Sequence, residues 1–251
     1  MKQLTCAALQ AGPHNTVYHT GPALDHGPLP AVFYFTLSGP DSLTVDPYNQ
    51  LVQFLSDRWI RFFSLTLPAH EEGLSPLDAL TVWADDLAKG IDVFNPFFDK
   101  VQEAVSFAVQ QKLVDPTKLA IAGLSRGAWI ASHVAAREPL FRHILQFAPL
   151  VRLEKAKEFH AMQNHPAVRA LDLWPLAPQL ADRNIRFYIG NKDTRVHTPE
   201  CFDFAMHLVN ASPLRSPSIE LIMNRSIGQY GHGTAPETFQ QGAAWLGNLL
   251  Q

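Results

Sequence analysis

Apolar positions along the chain follow two spacings: short unbroken runs of the kind that form buried strands, and longer stretches with an apolar residue every three or four positions. The runs are "PAVFYFTLS" at 30–38, "WIRFFSLTLP" at 59–68, "KLAIAG" at 118–123, "HILQFAPL" at 143–150, "NIRFYIGN" at 184–191 and "SIELIMN" at 218–224. Helical spacing predicts helices at 46–58, with Asp46 as N-cap and Pro47 in the first turn, and at 97–113, with Val101, Val105, Ala108 and Val109 on one face. Further helices are predicted at 126–138 and 235–250. Strands alternating with helices predict an α/β fold, a mostly parallel central sheet with helices on both faces.

Two segments interrupt this alternation. The connection 69–96 is long and holds its own predicted helix, capped by Ser75, begun at Pro76 and ended by Gly90; long connections inside compact domains are often covers over a site. Residues 151–183 are polar and helical, a small cap inserted within a single domain spanning 1–251. With 47% hydrophobic residues the chain can bury a large core. A net charge of -3 and the lack of a basic stripe argue against a nucleic-acid partner. No run reaches the roughly 18 apolar residues of a membrane span, and Thr5, Gln10 and Pro13 break the apolar start that a signal peptide would need. Cys6 and Cys201 share no spacing motif and are expected to be reduced thiols, so a soluble, cytoplasmic protein is expected.

The candidate chemistry starts at "AGLSRGA". Gly123, Ser125 and Gly127 fit G-x-S-x-G, a serine on a sharp strand-to-helix turn, where a side chain at either glycine would crowd the corner. Such a turn raises the hydroxyl above the carboxyl end of the sheet, at the amino end of a helix, whose N–H groups favour developing negative charge. Taken alone, the pentapeptide fits a helix-capping serine equally well. A nucleophilic serine needs a base and a group that orients the base. Asp193 follows the strand run at 184–191, and His232 lies in the glycine-flanked loop "YGHG" after the last run. Asp193 alone could be a solvated turn residue, and His232 alone a loop histidine. Three such residues at three strand ends, in the order Ser, Asp, His, favour a catalytic triad.

The segment "VDPTKLAIAGLSRGAW" resembles the D-P-x-[RK]-[IL]-x-[IVL]-x-G-x-S-x-G run of the α/β-hydrolase superfamily, especially its prolyl-oligopeptidase-like and dienelactone-hydrolase-like branches. "GNKDTRV" is similar to that family's acid turn and "YGHG" to its histidine loop; Ala128 departs from the second glycine many members carry. The resemblance implies an α/β-hydrolase fold with Ser125 as nucleophile, Asp193 as orienting acid and His232 as general base. It also implies an oxyanion hole whose first donor is the Arg126 backbone N–H. The second usually comes from the loop after the first strand run, which here reads Ser38-Gly39-Pro40, and Pro40 has no N–H. Ser38 N–H is the expected donor, with Gly39 N–H next.

The Arg126 side chain is expected to anchor to a nearby carboxylate, and His197 to be a surface histidine. His14, His19 and His26 show no metal-ligand spacing, so neither metal nor organic cofactor is expected. Trp83, Phe94, Phe97 and Phe98, with Trp174 of the presumed cap, are candidates for the substrate pocket, although each would serve as core. The expected reaction is hydrolysis of a small ester through an acyl-enzyme, as in a carboxylesterase. A short-peptide peptidase is an alternative that the 251-residue length disfavours, since it leaves no room for the propeller domain of that branch; a thioesterase and a catalytically silent binding protein also stay open.

Overall fold

Two strands precede the first one expected from the sequence. The computed structural model describes residues 3–213 and 218–251, and in it β1 (Ala7–Gly12) and β2 (Asn15–Thr20) form an antiparallel hairpin, pairing Leu9 with Val17. β1 is largely exposed and β2 alternates between buried and half-buried positions, so neither shows the unbroken apolar run of a central strand. The hairpin lies at one edge, through antiparallel pairing of β2 with β4.

β3 (Leu29–Phe35) is followed by two short helices, α1 (Gly39–Thr44) and α2 (Gln50–Leu55), where a single helix over 46–58 is predicted. The helix-starting proline is Pro40: Ser38 Oγ caps α1 by accepting from Asp41 N–H, whereas the Asp46–Pro47 bond is cis and lies between the helices. β4 (Arg61–Ser64) is shorter than its apolar run. α3 (Ala79–Ala88) lies within the long connection, and α4 (Phe94–Gln110) starts earlier than predicted because Asp92 Oδ1 accepts from Phe94 and Asn95 N–H. Then come β5 (Val114–Leu124), α5 (Arg126–Arg137), β6 (Phe141–Phe147), the short α6 (Pro166–Arg169) and α7 (Ala177–Leu180), β7 (Asn184–Gly190), α8 (Thr198–Ala211), β8 (Ile219–Asn224) and α9 (Pro236–Leu249). α8 is an element the sequence reading omits.

Among the described residues the sheet has eight strands in the order β1-β2-β4-β3-β5-β6-β7-β8, parallel from β4 onward. The two-residue period of its strands builds two cores. Ala31, Phe33 and Phe35 face α3, α4, α5 and α8, while Val32 and Tyr34 face α1, α2 and α9. All strand carboxyl ends of the parallel region open on one edge, so Ser125, Asp193 and His232 meet there. No described helix is long and apolar enough to cross a membrane.

A buried arginine ties the hairpin side to the sheet. Arg61 is 0% exposed, and its guanidinium donates to the carbonyls of Pro22 (3.2 Å), Gly27 (2.7 Å), Ala23 and Leu113. Each carbonyl left without its donor costs about 1–3 kcal/mol. Arg61→Met should therefore lower unfolding stability by about 3 kcal/mol or more, a shift read directly in a urea denaturation midpoint at unchanged slope.

Candidate active site

Ser125 occupies the corner between β5 and α5 with φ 57° and ψ -118°, a conformation an L residue adopts only under constraint. The constraint is close approach. A Cβ on Gly127 would stand 2.0 Å from Phe35 O, and one on Gly123 would stand 2.3 Å from Gly127 O, so the first turn of α5 rests directly on the ends of β3 and β5. Ser125 is held by its backbone: its N–H donates to Phe147 O (2.8 Å), and its carbonyl accepts from Ala128 N–H (3.1 Å) and Leu150 N–H (3.2 Å). Its side chain makes no capping bond to α5, which leaves the hydroxyl free to point outward.

Ser125 Oγ lies 2.8 Å from His232 Nε2, and His232 Nδ1 lies 2.7 Å from Asp193 Oδ2. These partners assign the tautomer: Nδ1 carries the proton toward the carboxylate, and Nε2 accepts from the hydroxyl. Asp193 is 2% exposed, and its Oδ1 accepts from Arg195 N–H (2.9 Å) and Val196 N–H (3.0 Å), leaving Oδ2 for the imidazole. The histidine loop approaches the acid turn closely enough that a Cβ on Gly231, at φ 72°, would stand 2.4 Å from Lys192 O. Thr194 N–H adds a bond to Tyr230 O (2.9 Å). The chain of hydroxyl, imidazole and carboxylate can move a proton off Ser125 and stabilise the imidazolium that results.

Arg126 N–H stands in the first turn of α5, where backbone N–H groups have no intrahelical acceptor. Gly39 N–H is already engaged, donating to Thr66 Oγ1 (3.0 Å), which removes the second of the two expected partners of Arg126. Ser38 N–H has no acceptor among the described residues, although Ser38 itself borders a neighbouring cavity rather than the one around Ser125.

The cavity over Ser125 encloses about 460 Å³. Leu77, 84% exposed, and Tyr230 stand at it with Leu80 and Leu150, and Lys157, Glu158 and Arg195 supply charge. Residues 151–183 thus contribute to its wall through Ala156, Lys157 and Glu158. Arg195 and Glu158 form a two-pronged ion pair at 2.8 and 3.0 Å. The sequence reading missed both, and also His70, since no local spacing marks residues that meet only through the fold. His197 is half-buried at the start of α8, its Nε2 bonded to Lys155 O (3.1 Å), rather than a free surface group.

The Arg126 side chain corrects another expectation. Among the described residues it reaches no carboxylate; Nη1 donates to Pro76 O (2.6 Å) and to His70 Nε2 (3.3 Å). Burial pushes His70 down to about 4, and with its Nδ1 donating to Pro68 O (2.9 Å) the neutral ring presents a lone pair to Arg126. Burial, with the Arg195 charge, lowers the Arg126 guanidinium to about 10 against the pull of Glu158, so it stays charged at neutral pH.

None of the five aromatic pocket candidates lines the Ser125 cavity. Trp83, Phe94 and Phe98 are fully buried and interlock around Trp129, with Trp83 against Phe94 at 4.9 Å and Phe94 against Trp129 at 4.9 Å, because helical spacing in α3, α4 and α5 turns them to the core. Phe97 packs against Phe35 and, with Trp83, borders the neighbouring cavity of about 1040 Å³. Trp174 packs on Phe204 at 5.0 Å beneath the Arg152 guanidinium. A methyl group at position 127 must displace backbone, so Gly127→Ala should cost about 1–3 kcal/mol in a denaturation series. It should also move the Ser125 hydroxyl out of register, read as slower labelling by a serine-directed phosphonate.

Solved structures with this fold include TT1662 from Thermus thermophilus, at TM-score 0.74 and 18% identity over 100% of this chain and 99% of that one. An acylaminoacyl peptidase from Pyrococcus horikoshii aligns at TM-score 0.70 and 12% identity, over 98% of this chain and 41% of that one. A puromycin-hydrolyzing peptidase from Mycobacterium tuberculosis aligns at TM-score 0.69 and 17% identity, over 98% and 40%. The chain thus spans about two-fifths of the length of these two peptidases. No curated protein matches it significantly. At these identities the likeness shows the α/β-hydrolase fold. The model of the Prolyl oligopeptidase family matches residues 95–250, well over half of the chain. The chain belongs to the prolyl oligopeptidase family of serine hydrolases.

Proposed function

We propose that the protein hydrolyses small esters through an acyl-enzyme on Ser125. The observation that carries this reading is the continuous hydrogen-bond path from Ser125 Oγ through His232 to Asp193, at 2.8 and 2.7 Å. His232 Nε2 takes the Ser125 proton as Oγ adds to the ester carbonyl, and the negative charge on the carbonyl oxygen is met by Arg126 N–H with Ser38 N–H. The tetrahedral adduct collapses, the carbon–oxygen bond to the alcohol breaks, and His232 returns the proton to the departing oxygen. Water then enters, gives its proton to His232 and adds to the acyl carbon; Ser125 leaves with that proton and the acid is released. Asp193 holds the ring in the tautomer both halves require.

Cleavage of short peptides is a second reading, supported by the family match and by the peptidase names of the Pyrococcus and Mycobacterium structures. An amide asks more of the same site, since an amine must be protonated before it leaves. The ester reading is therefore the smaller claim on the geometry.

A fluorophosphonate probe should label the protein and fail to label Ser125→Ala; labelling that persists in the variant would remove Ser125 from the role of nucleophile. A series of p-nitrophenyl esters beside aminoacyl-naphthylamides then separates the two readings, and turnover confined to the amides would replace the ester with the peptide. Asp193→Asn keeps the shape of the side chain while favouring the wrong imidazole tautomer, so kcat should fall by about 10⁴ with little change in thermal midpoint.

A further inference from the structure

Arg126 brings a charge to the Ser125 cavity that no carboxylate of the described protein contacts. Its two anchors, Pro76 O and the neutral His70 ring, are uncharged, and both engage Nη1. Nε and Nη2 have no acceptor among the described residues, and neither is a sealed, unsatisfied atom, so this edge of the guanidinium meets open space. The only cavity among those described that Arg126 borders is the one containing Ser125. The other cations there are differently placed: Arg195 is neutralised by Glu158 through two bonds, and Lys157 is exposed. Three cations thus face one carboxylate, and that carboxylate is already taken.

An edge of two parallel N–H donors is the shape that receives a carboxylate, and a guanidinium held in place by Pro76 and His70 loses little freedom on doing so. Direction follows from topology. The leaving group must depart where His232 can protonate it, and His232 comes from the loop beyond β8. Arg126 is anchored to the connection after β4, which approaches Ser125 from the opposite side of β5. The substrate part that meets Arg126 is therefore the acyl part.

We propose that the Arg126 side chain binds a carboxylate at the far end of the acyl group, making half-esters of short dicarboxylic acids the preferred substrates. This rests on Ser125 being the nucleophile, and the test separates the two claims. Hydrolysis of the mono-p-nitrophenyl esters of glutaric and adipic acid, corrected for spontaneous breakdown, is compared with that of p-nitrophenyl hexanoate, a neutral ester of similar length. The ratio of kcat/KM, charged over neutral, should favour the half-esters by about 10- to 100-fold, the worth of a charge-assisted hydrogen bond, and the preference should appear in KM. Arg126→Met should abolish that ratio and Arg126→Lys should restore part of it; Arg126→Gln serves if the Met variant does not fold.

Because binding needs no turnover, calorimetry of glutarate and adipate on Ser125→Ala, with and without Arg126→Met, gives a second readout. Tighter binding that depends on Arg126 supports the proposal. A half-ester preference that survives Arg126→Met, no preference in the wild type, or product binding indifferent to Arg126 overturns it. Cleavage of both esters that persists in Ser125→Ala would instead sink the nucleophile assignment, and the calorimetry would still decide the carboxylate site.

Discussion

The contact between the first turn of α5 and the end of β3 governs the geometry of the site. With no side chain on Gly127, the helix comes down onto Phe35 O, and the peptide leading into it must turn at Ser125 through φ 57° and ψ -118°. Such a conformation costs about 1–3 kcal/mol and persists only where surrounding structure enforces it. Here the enforcement comes from both cores: Phe33 and Phe35 fix β3 from one side, Val32 and Tyr34 from the other. The hydroxyl is therefore delivered by packing rather than by any bond of its own to the helix.

Around that fixed point the charges are sorted by partner. Asp193 has one oxygen filled by backbone N–H groups and the other by His232. Arg195 has Glu158. His70 and His133 are both held neutral by burial, the first near Arg126 and the second beneath Trp129 and Phe98. A neutral ring can accept from a guanidinium, whereas a protonated one would repel it. Keeping His70 uncharged is what lets the protein hold Arg126 without neutralising it.

The parallel strands and the three residues of the hydrogen-bonded chain are legible because each depends on local signals: an apolar run, a turn, a serine between glycines. The same holds for the helix from Pro236 to Leu249. α8 escaped although Cys201, Phe204, Ala205 and Leu208 recur at helical spacing, because Phe202, Met206 and Val209 are also apolar and exposed, which blurs the stripe. The hairpin escaped for the opposite reason: β1 is largely exposed, and two of the three buried positions of β2, Asn15 and Thr20, are polar. For Trp83, Phe94 and Phe98 the sequence leaves pocket and core both open, because an aromatic looks the same in sequence whether it turns inward or outward; the fold turns all three inward. The partners of Arg126 and Glu158 were invisible, since both are set by elements far apart in the chain.

Arg195 uses its two ends for different tasks. Its backbone N–H donates to Asp193 Oδ1, while its side chain grips Glu158 in the segment between β6 and β7. The wall of the cavity and the seat of the acid are therefore joined through one residue, as a lever is joined through its pivot. Position 195 therefore belongs at once to the wall of the cavity, through its guanidinium, and to the turn that seats the acid, through its N–H.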